Sequence, residues 1–262
     1  MELTIFQIDA FTDRIFGGNP ACVVPLKEWL PDHQLLHIAK ENAVAETAFF
    51  IPSTDHFHIR WFTPDIEMDL CGHATLATAH VLCAHLNYAP AIIKFESKSG
   101  LLLVEKQETH YTLNFPSRMP LPDSLPEILR QGMDRQPKEV LKSRDYVLVF
   151  EKQEDITGIK LNRAVLDQIN LDPGGIIITA PGNEVDFVSR FFTTQSTLFE
   201  DPVTGSAHCS LIPFWSKRLN KKEMTALQLS ERVGKLKCVD AGDRVLISGQ
   251  ARTYLVGSIW VG

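Results

Sequence analysis

An internal duplication is the feature of this sequence that most constrains its fold. Four short segments recur in the same order after an interval of 129 to 134 residues, in a chain of 262 residues. Each match is short, but the shared order and interval argue against chance and predict two similar domains. The paired segments are Phe49–Pro52 with Ile178–Pro181, Arg60–Thr63 with Arg190–Thr193, Gly72–Ala74 with Gly205–Ala207, and Ser97–Leu101 with Ser230–Lys235.

Both copies follow one plan, in which a β-rich stretch leads through a loop to a glycine and then a helix. The stretches are Phe57–Phe62 before Gly72 and Phe187–Phe192 before Gly205. The helical segment after Gly72 is apolar nearly all round and the one after Gly205 is mostly apolar, which is typical of helices enclosed by other elements. We therefore expect a central helix inside the sheet of each domain.

A proline-rich connector separates the two copies. Four prolines fall between residues 116 and 126, a composition typical of a linker. We place an N-terminal domain at residues 1–118, with Glu46 and the helix start at Gly72 and His73. The C-terminal domain, residues 119–262, carries the Asp201–Ser206 motif, although the last strand, 253–261, could close either sheet.

Composition and charge favour a small-molecule ligand over nucleic acid or membrane. Lys and Arg number 26 against 32 Asp and Glu, a net charge of −6, and no long run of like charges offers a basic surface. The longest apolar stretches fall short of the roughly 18 residues that a membrane span requires. The acidic N-terminus does not resemble a signal peptide, and the five cysteines are scattered, so we expect a cytoplasmic location.

The two glycine-led helix starts are the expected binding elements. A duplicated domain usually forms its site in the cleft between the copies, where equivalent elements face each other. Amides at Gly72, Gly205 and Ser206 would then offer unpaired N–H groups and helix dipoles to a carboxylate or phosphate. The alternative is that both glycines merely permit tight turns and that Ser206 is an N-cap.

Three side chains near these helix starts are candidates for proton transfer. Glu46 has small and apolar neighbours just before a strand, and such surroundings suit a carboxyl group to general acid–base work. His73 stands at a helix start, which favours a neutral imidazole. Asp201 either polarises His73 or Glu46 across the cleft or braces the loop before Pro202. The structural alternatives are a Glu46 that faces solvent or caps a backbone turn, and a purely structural His73.

Several motifs together resemble the PhzF-like family of phenazine biosynthesis, which has the diaminopimelate-epimerase-like fold. They are DAFTDRIFGGNPACVV from Asp9, NAVAETAFF around Glu46, DLCGHATLA from Asp69 and EDPVTGSAH from Glu200. The resemblance covers essentially the full chain. It implies an α+β fold of two pseudo-symmetric domains, each with a mixed, mostly antiparallel sheet wrapped around a central helix.

The same resemblance implies a cofactor-free isomerase, commonly a homodimer, that acts on a small carboxylate-bearing metabolite. Glu46 would move a proton between substrate carbons, assisted by His73 and Asp201. Gly72, Gly205 and Ser206 would hold the substrate carboxylate, and the resemblance also places Asn19 near the site.

Cys71 marks a departure from the racemases and epimerases of this fold, which use two cysteines, one before each helix. Cys71 stands where the first thiol would be, but the second position lies near Pro202, which has no acid–base group. We therefore favour proton shuttling on one face of the substrate, with Cys71 lining the site or simply buried. A racemase using Cys71 and a non-catalytic protein that binds small acids are the alternatives.

A metal site is not expected from the sequence. His33 and His37 are spaced i, i+4 on a predicted helix, but no third ligand stands at a telling distance. We predict neither metal nor organic cofactor, and no side chain identifies a particular substrate ring or chain.

Overall fold

The computed structural model describes residues 1–172 and 174–262. Its helices are α1 Asp32–Asn42, α2 Gly72–Ala84, α3 Glu127–Gln131, α4 Gln153–Gly158, α5 Arg163–Leu166 and α6 Gly205–Leu219. Its strands are β1 Glu2–Ala10, β2 Asn19–Pro25, β3 Glu46–Pro52, β4 Phe57–Phe62, β5 Glu67–Met68, β6 Ile92–Ser97, β7 Gly100–Gln107, β8 His110–Pro116, β9 Leu121–Pro122, β10 Glu139–Lys142, β11 Tyr146–Val149, β12 Ile176–Pro181, β13 Phe187–Phe192, β14 Glu200–Asp201, β15 Glu223–Gln228, β16 Gly234–Asp240, β17 Arg244–Gly249 and β18 Ala251–Trp260.

The described residues divide into two compact units. The first comprises Met1–Phe115 with Ile247–Gly262, and the second comprises Pro116–Leu246. This division differs from the predicted ranges 1–118 and 119–262 mainly at the C-terminus. The cause is that β18 pairs antiparallel with β1 along the whole of β1, which draws the end of the chain into the first unit.

The two units share one strand topology, and the predicted α+β fold of similar halves is confirmed. In the first unit, β2 is parallel to β3, β3 antiparallel to β4, and β4 antiparallel to β5. Strand β4 is also parallel to β6, which is antiparallel to β7. The second unit repeats these five pairings in the same senses with β11 to β16. The duplication in the sequence is therefore also a duplication of pairing.

One long, largely buried helix packs against the strands of each unit. Helix α2 is buried over most of its length and contacts β1, β2, β3 and β18. Helix α6 is buried from Gly205 to Ser216 except for Ser206, contains Pro213, and contacts β16. Both helices are buried over most of their length, so the surrounding elements remove most of their surface from water.

An arginine–glutamate pair occupies the equivalent place in each unit. Arg60 Nε and Nη2 donate to Glu67 at 2.7 and 2.8 Å, and Arg190 Nε and Nη2 donate to Glu200 at the same two distances. Each guanidinium also lies over a phenylalanine ring, at 5.1 Å from Phe62 and 4.9 Å from Phe192. Each bidentate salt bridge, the clamp of its unit, connects two strands, β4 with β5 in the first unit and β13 with β14 in the second. Both clamps lie just before the loop that leads to the central helix.

Replacing either arginine by lysine should destabilise the protein, because an ammonium group cannot bind both carboxylate oxygens in parallel. We expect Arg60→Lys and Arg190→Lys each to lower the free energy of unfolding by about 1–2 kcal/mol, measured by urea denaturation. Lys138→Gln is the control, since its pair with Glu151 is largely exposed and contributes little. Equal effects of all three substitutions would contradict this role of the two arginine–glutamate pairs.

Candidate active site

Glu46 lies at the first residue of β3, where the chain leaves helix α1. Helix α1 ends at Asn42, and Ala43 follows in the left-handed region with φ 50° and donates its N–H to Ala39 O. The chain then enters β3 with Glu46 opposite Ala21 of β2. Only 13% of the Glu46 side chain is exposed, so the solvent-facing alternative is wrong for this residue.

His73 is the second residue of α2, and its ring contacts three of the other predicted site residues. His73 Nε2 lies 3.1 Å from Glu46 Oε2. On the other side of the ring, Nδ1 lies 3.1 Å from Asn19 Nδ2 and 3.6 Å from Cys71 Sγ. The imidazole, the amide and the thiol are all buried. Four residues selected from three motifs thus form one cluster within the first unit.

The approach of Glu46 to His73 leaves their facing atoms available to a ligand. Oε2 and Nε2 are 3.1 Å apart, within ion-pair distance when the imidazole is protonated. Within the described residues, neither buried atom has a hydrogen-bond partner. Buried polar atoms are usually paired, so this pair is suited to exchanging a proton with a bound molecule.

The electrostatics of the cluster raise the pKa of both the imidazole and the thiol. For His73, burial works against the imidazolium, but the negative charge that Cys71 and Glu46 carry when deprotonated outweighs it and raises the pKa well above its ordinary value, the opposite direction from that expected of a helix start alone. Burial, reinforced by Glu46, raises the pKa of the Cys71 thiol to about 11. A thiol that stays protonated near neutral pH is a poor base, which weighs against the racemase alternative.

Asn19 reaches His73 because of a tight loop between β1 and β2. Gly18 has φ +59°, and a Cβ atom there would lie 2.0 Å from Ala10 O, so a side chain is excluded. The amide of Phe16 donates to Asp9 Oδ2 at 2.8 Å across the loop. Asn19, which follows Gly18, is fully buried at the start of β2. Gly18 therefore allows the loop to place Asn19 beside His73.

In the second unit, Asp201 organises the loop before helix α6. Thr204 Oγ1 donates to Asp201 Oδ2 at 2.5 Å, and Gln228 Nε2 donates to Asp201 O at 2.8 Å. The fully buried Gln228 also accepts the Thr204 N–H at 2.8 Å. Bracing of this loop is thus one role of Asp201, while its action on Glu46 or His73 stays a prediction. No sequence signal marked Gln228, a single glutamine at a strand end.

Both central helices begin without a side-chain cap. Helix α2 starts at Gly72 after Cys71, and α6 starts at Gly205 after Thr204; neither preceding residue forms a side-chain capping bond. Ser206 is the second residue of α6 and is partly exposed, so it is not the N-cap. Uncapped helix starts carry positive potential that suits an anion.

Two groups of side chains have the composition of metal ligands. Ligand atoms of Glu46, Cys71 and His73 lie within 4.8 Å of one another, and a second group is formed by His56, His58 and Glu96. By contrast, no third ligand completes a cluster with His33 and His37 in the described part of the chain. Those two rings lie edge to face on α1 with centroids 6.1 Å apart.

His208 provides a pH-dependent contribution to stability in α6. Its ring is fully buried, Nδ1 donates to Thr204 O at 2.8 Å, and burial lowers the pKa to about 4. As pH falls below about 6.5, the unfolded chain gains a proton there that the folded chain does not.

Stability should therefore fall between about pH 6.5 and 4, with His208 contributing on the order of 3 kcal/mol. Urea denaturation across this range measures the slope. We expect His208→Gln to reduce the slope, with part of it remaining because burial also lowers the pKa of His80 to about 4. His37→Gln, which replaces an exposed histidine, should leave it unchanged. An undiminished slope in His208→Gln would show that the buried imidazole is not its source.

Comparison with known proteins identifies the family that has this fold. The model of the family described as Phenazine biosynthesis-like protein (PhzC-PhzF) matches residues 8–257. An uncharacterized isomerase of Pseudomonas aeruginosa is 44% identical over 259 residues, 99% of each chain. The crystal structure of a PhzF-family phenazine biosynthesis protein from Enterococcus faecalis is 40% identical, covers 100% of both chains and has a TM-score of 0.94.

The fold and the cluster define a duplicated α+β protein with a buried carboxyl–imidazole pair. This chain belongs to the phenazine biosynthesis-like family of PhzF-like isomerases, and the resemblance predicted from its motifs is confirmed. A hydroxyproline epimerase from Agrobacterium vitis, 10% identical with a TM-score of 0.62 over 98% of this chain and 92% of its own, shares the fold. Within the described residues, no helix is long and apolar enough to cross a membrane.

Proposed function

We propose that this protein is a cofactor-independent isomerase that moves a proton between carbon atoms of a small carboxylate-bearing metabolite. The observation that carries the proposal is the buried Glu46–His73 pair, whose facing atoms lack hydrogen-bond partners in the described residues. A carboxyl group held beside an imidazole can accept a proton and return it without a redox partner.

In the proposed reaction, Glu46 removes a proton from a carbon next to an electron-withdrawing group and returns it to another carbon on the same face. His73, held by Asn19, stabilises the Glu46 carboxylate before proton removal and orients it. The electron pair left on carbon shifts along the conjugated system to the second carbon. Amides at a helix start stabilise the anion that develops during this shift.

We assign the remaining predicted residues to substrate binding and assistance. Amides at Gly72, Gly205 and Ser206 would hold the substrate carboxylate, and Asp201 would assist proton transfer in addition to bracing its loop. Cys71 would line the site as a neutral thiol. The homodimer and the cytoplasmic location are further parts of the proposal; the five free cysteines are compatible with a reducing compartment.

Glu46→Gln should abolish proton transfer while preserving binding, because the amide keeps the shape of the carboxyl group but cannot act as the base. We expect the exchange rate to fall by about 10²–10⁴-fold. The measurement is deuterium incorporation by proton NMR in deuterated water, with a panel of amino acids and unsaturated cyclic or amine-bearing acids.

Glu41→Gln, which changes an exposed carboxyl group on α1, serves as the matched control and should exchange at the wild-type rate. Ligand affinity of Glu46→Gln, measured by calorimetry on the acid that exchanges in the wild type, should stay within a few-fold. Wild-type exchange by Glu46→Gln would remove Glu46 from the proposed role. A wild type that binds acids of the panel without exchanging any would favour the binding-protein alternative.

Cys71→Ser distinguishes the isomerase from the racemase alternative. Since the Cys71 thiol is protonated near neutral pH, we expect this variant to keep most of the exchange activity. The configuration at the exchanging carbon, followed by chiral chromatography, should be retained. Inversion at that carbon, together with loss of exchange in Cys71→Ser, would replace the one-face shuttle by a thiol-based racemase.

A further inference from the structure

A second cluster of ligand-type side chains lies outside the candidate active site, on strands β4 and β6. His56 immediately precedes β4, His58 lies within it, and Glu96 is the parallel partner of His58 on β6. Side chains two residues apart on an extended chain point to the same face. Phe57 points to the opposite side, where its ring contacts Phe50 and other aromatic rings.

The ligand atoms are already close to the spacing of a zinc site. His56 Nε2 lies 3.0 Å from Glu96 Oε2 and 3.3 Å from His58 Nε2. His58 Nδ1 lies 3.1 Å from the same Glu96 oxygen. Tetrahedral zinc with nitrogen and oxygen ligands at about 2.0–2.1 Å separates neighbouring ligands by roughly 3.3 Å. The His58 ring presents Nε2 to His56 and Nδ1 to Glu96, and one ligand atom from each of the three residues lies within 4.8 Å of the others.

Asp55 orients His56 from outside the cluster. Its Oδ1 accepts a hydrogen bond from His56 Nδ1 at 3.0 Å, and its Oδ2 accepts one from Lys94 Nζ at 3.3 Å. A proton held on Nδ1 leaves the lone pair of His56 Nε2 directed at the cluster. Metal-binding histidines commonly have such a carboxylate partner on the second nitrogen, and it strengthens ligation.

We propose that His56, His58 and Glu96 bind a zinc ion, with water as the fourth ligand. Their side chains are 22%, 39% and 54% exposed, so one coordination position is open to solvent. The ion would join the turn between β3 and β4 to β6 and stabilise the first unit. This site is separate from the proposed isomerase chemistry, and either can hold without the other.

The test is zinc titration of the wild-type protein against a chromogenic zinc chelator. The double variant His56→Gln/His58→Gln should lower affinity at one site by at least about tenfold, since it removes two of three protein ligands. Zinc should also raise the melting temperature of the wild type more than that of the variant, because a ligand that binds only the folded state stabilises it.

Asp55→Asn tests the orienting partner and should weaken zinc binding by about 10–100-fold while all three ligands remain. A pair of surface histidines without an orienting carboxylate would not lose zinc affinity on this substitution. The matched control is His33→Gln/His37→Gln, which removes the other closely spaced histidine pair and should bind zinc as the wild type does. Circular dichroism verifies that each variant is folded.

Two results would overturn the proposal. One is unchanged zinc affinity and melting shift in His56→Gln/His58→Gln. The other is loss of all zinc binding in Glu46→Gln with full binding retained by the double variant, which would assign the metal to the group of Glu46, Cys71 and His73.

Discussion

Two helices that are buried over most of their length set the architecture of this protein. Because most residues of α2 and α6 are buried, each requires surrounding structure over most of its surface. In each unit a set of strands with identical pairing order meets that requirement. Strand β4 before α2 pairs parallel with β6 after it, and β13 before α6 pairs parallel with β15 after it. Each unit therefore contains both parallel and antiparallel pairs. The rest of each unit depends on this enclosed helix.

The enclosed helix also positions the chemistry. Its first turn has amides without hydrogen-bond partners in the helix, and the preceding loop is tied down by an arginine–glutamate clamp. His73 is therefore held at a buried helix start, where it contacts Glu46 at the first residue of β3. Two ionisable groups buried together tolerate low polarity better than either would alone. Burial and mutual proximity give this pair an environment that differs from that of the surface carboxylates.

The two copies have kept one framework but carry different side chains at the helix starts. The first has Cys71 and His73 beside Glu46, whereas the second has a network of Asp201, Thr204 and Gln228. The clamp geometry is nearly identical in both units, while the polar groups nearest the helices are not. The framework supports folding, and the loop residues are therefore the place where the two halves differ chemically.

Repeats and periodic patterns in the sequence predicted the duplication, both central helices, the strand–loop–glycine order and the candidate residues near them. These features depend on periodicity and spacing along the chain. The pairing of β18 with β1, the contact of Asn19 with His73, the burial of Gln228 and the meeting of His56 and His58 with Glu96 join distant positions. Only the tertiary structure decided them, because strand pairing and side-chain packing bring together residues whose spacing along the chain carries no information about their contact.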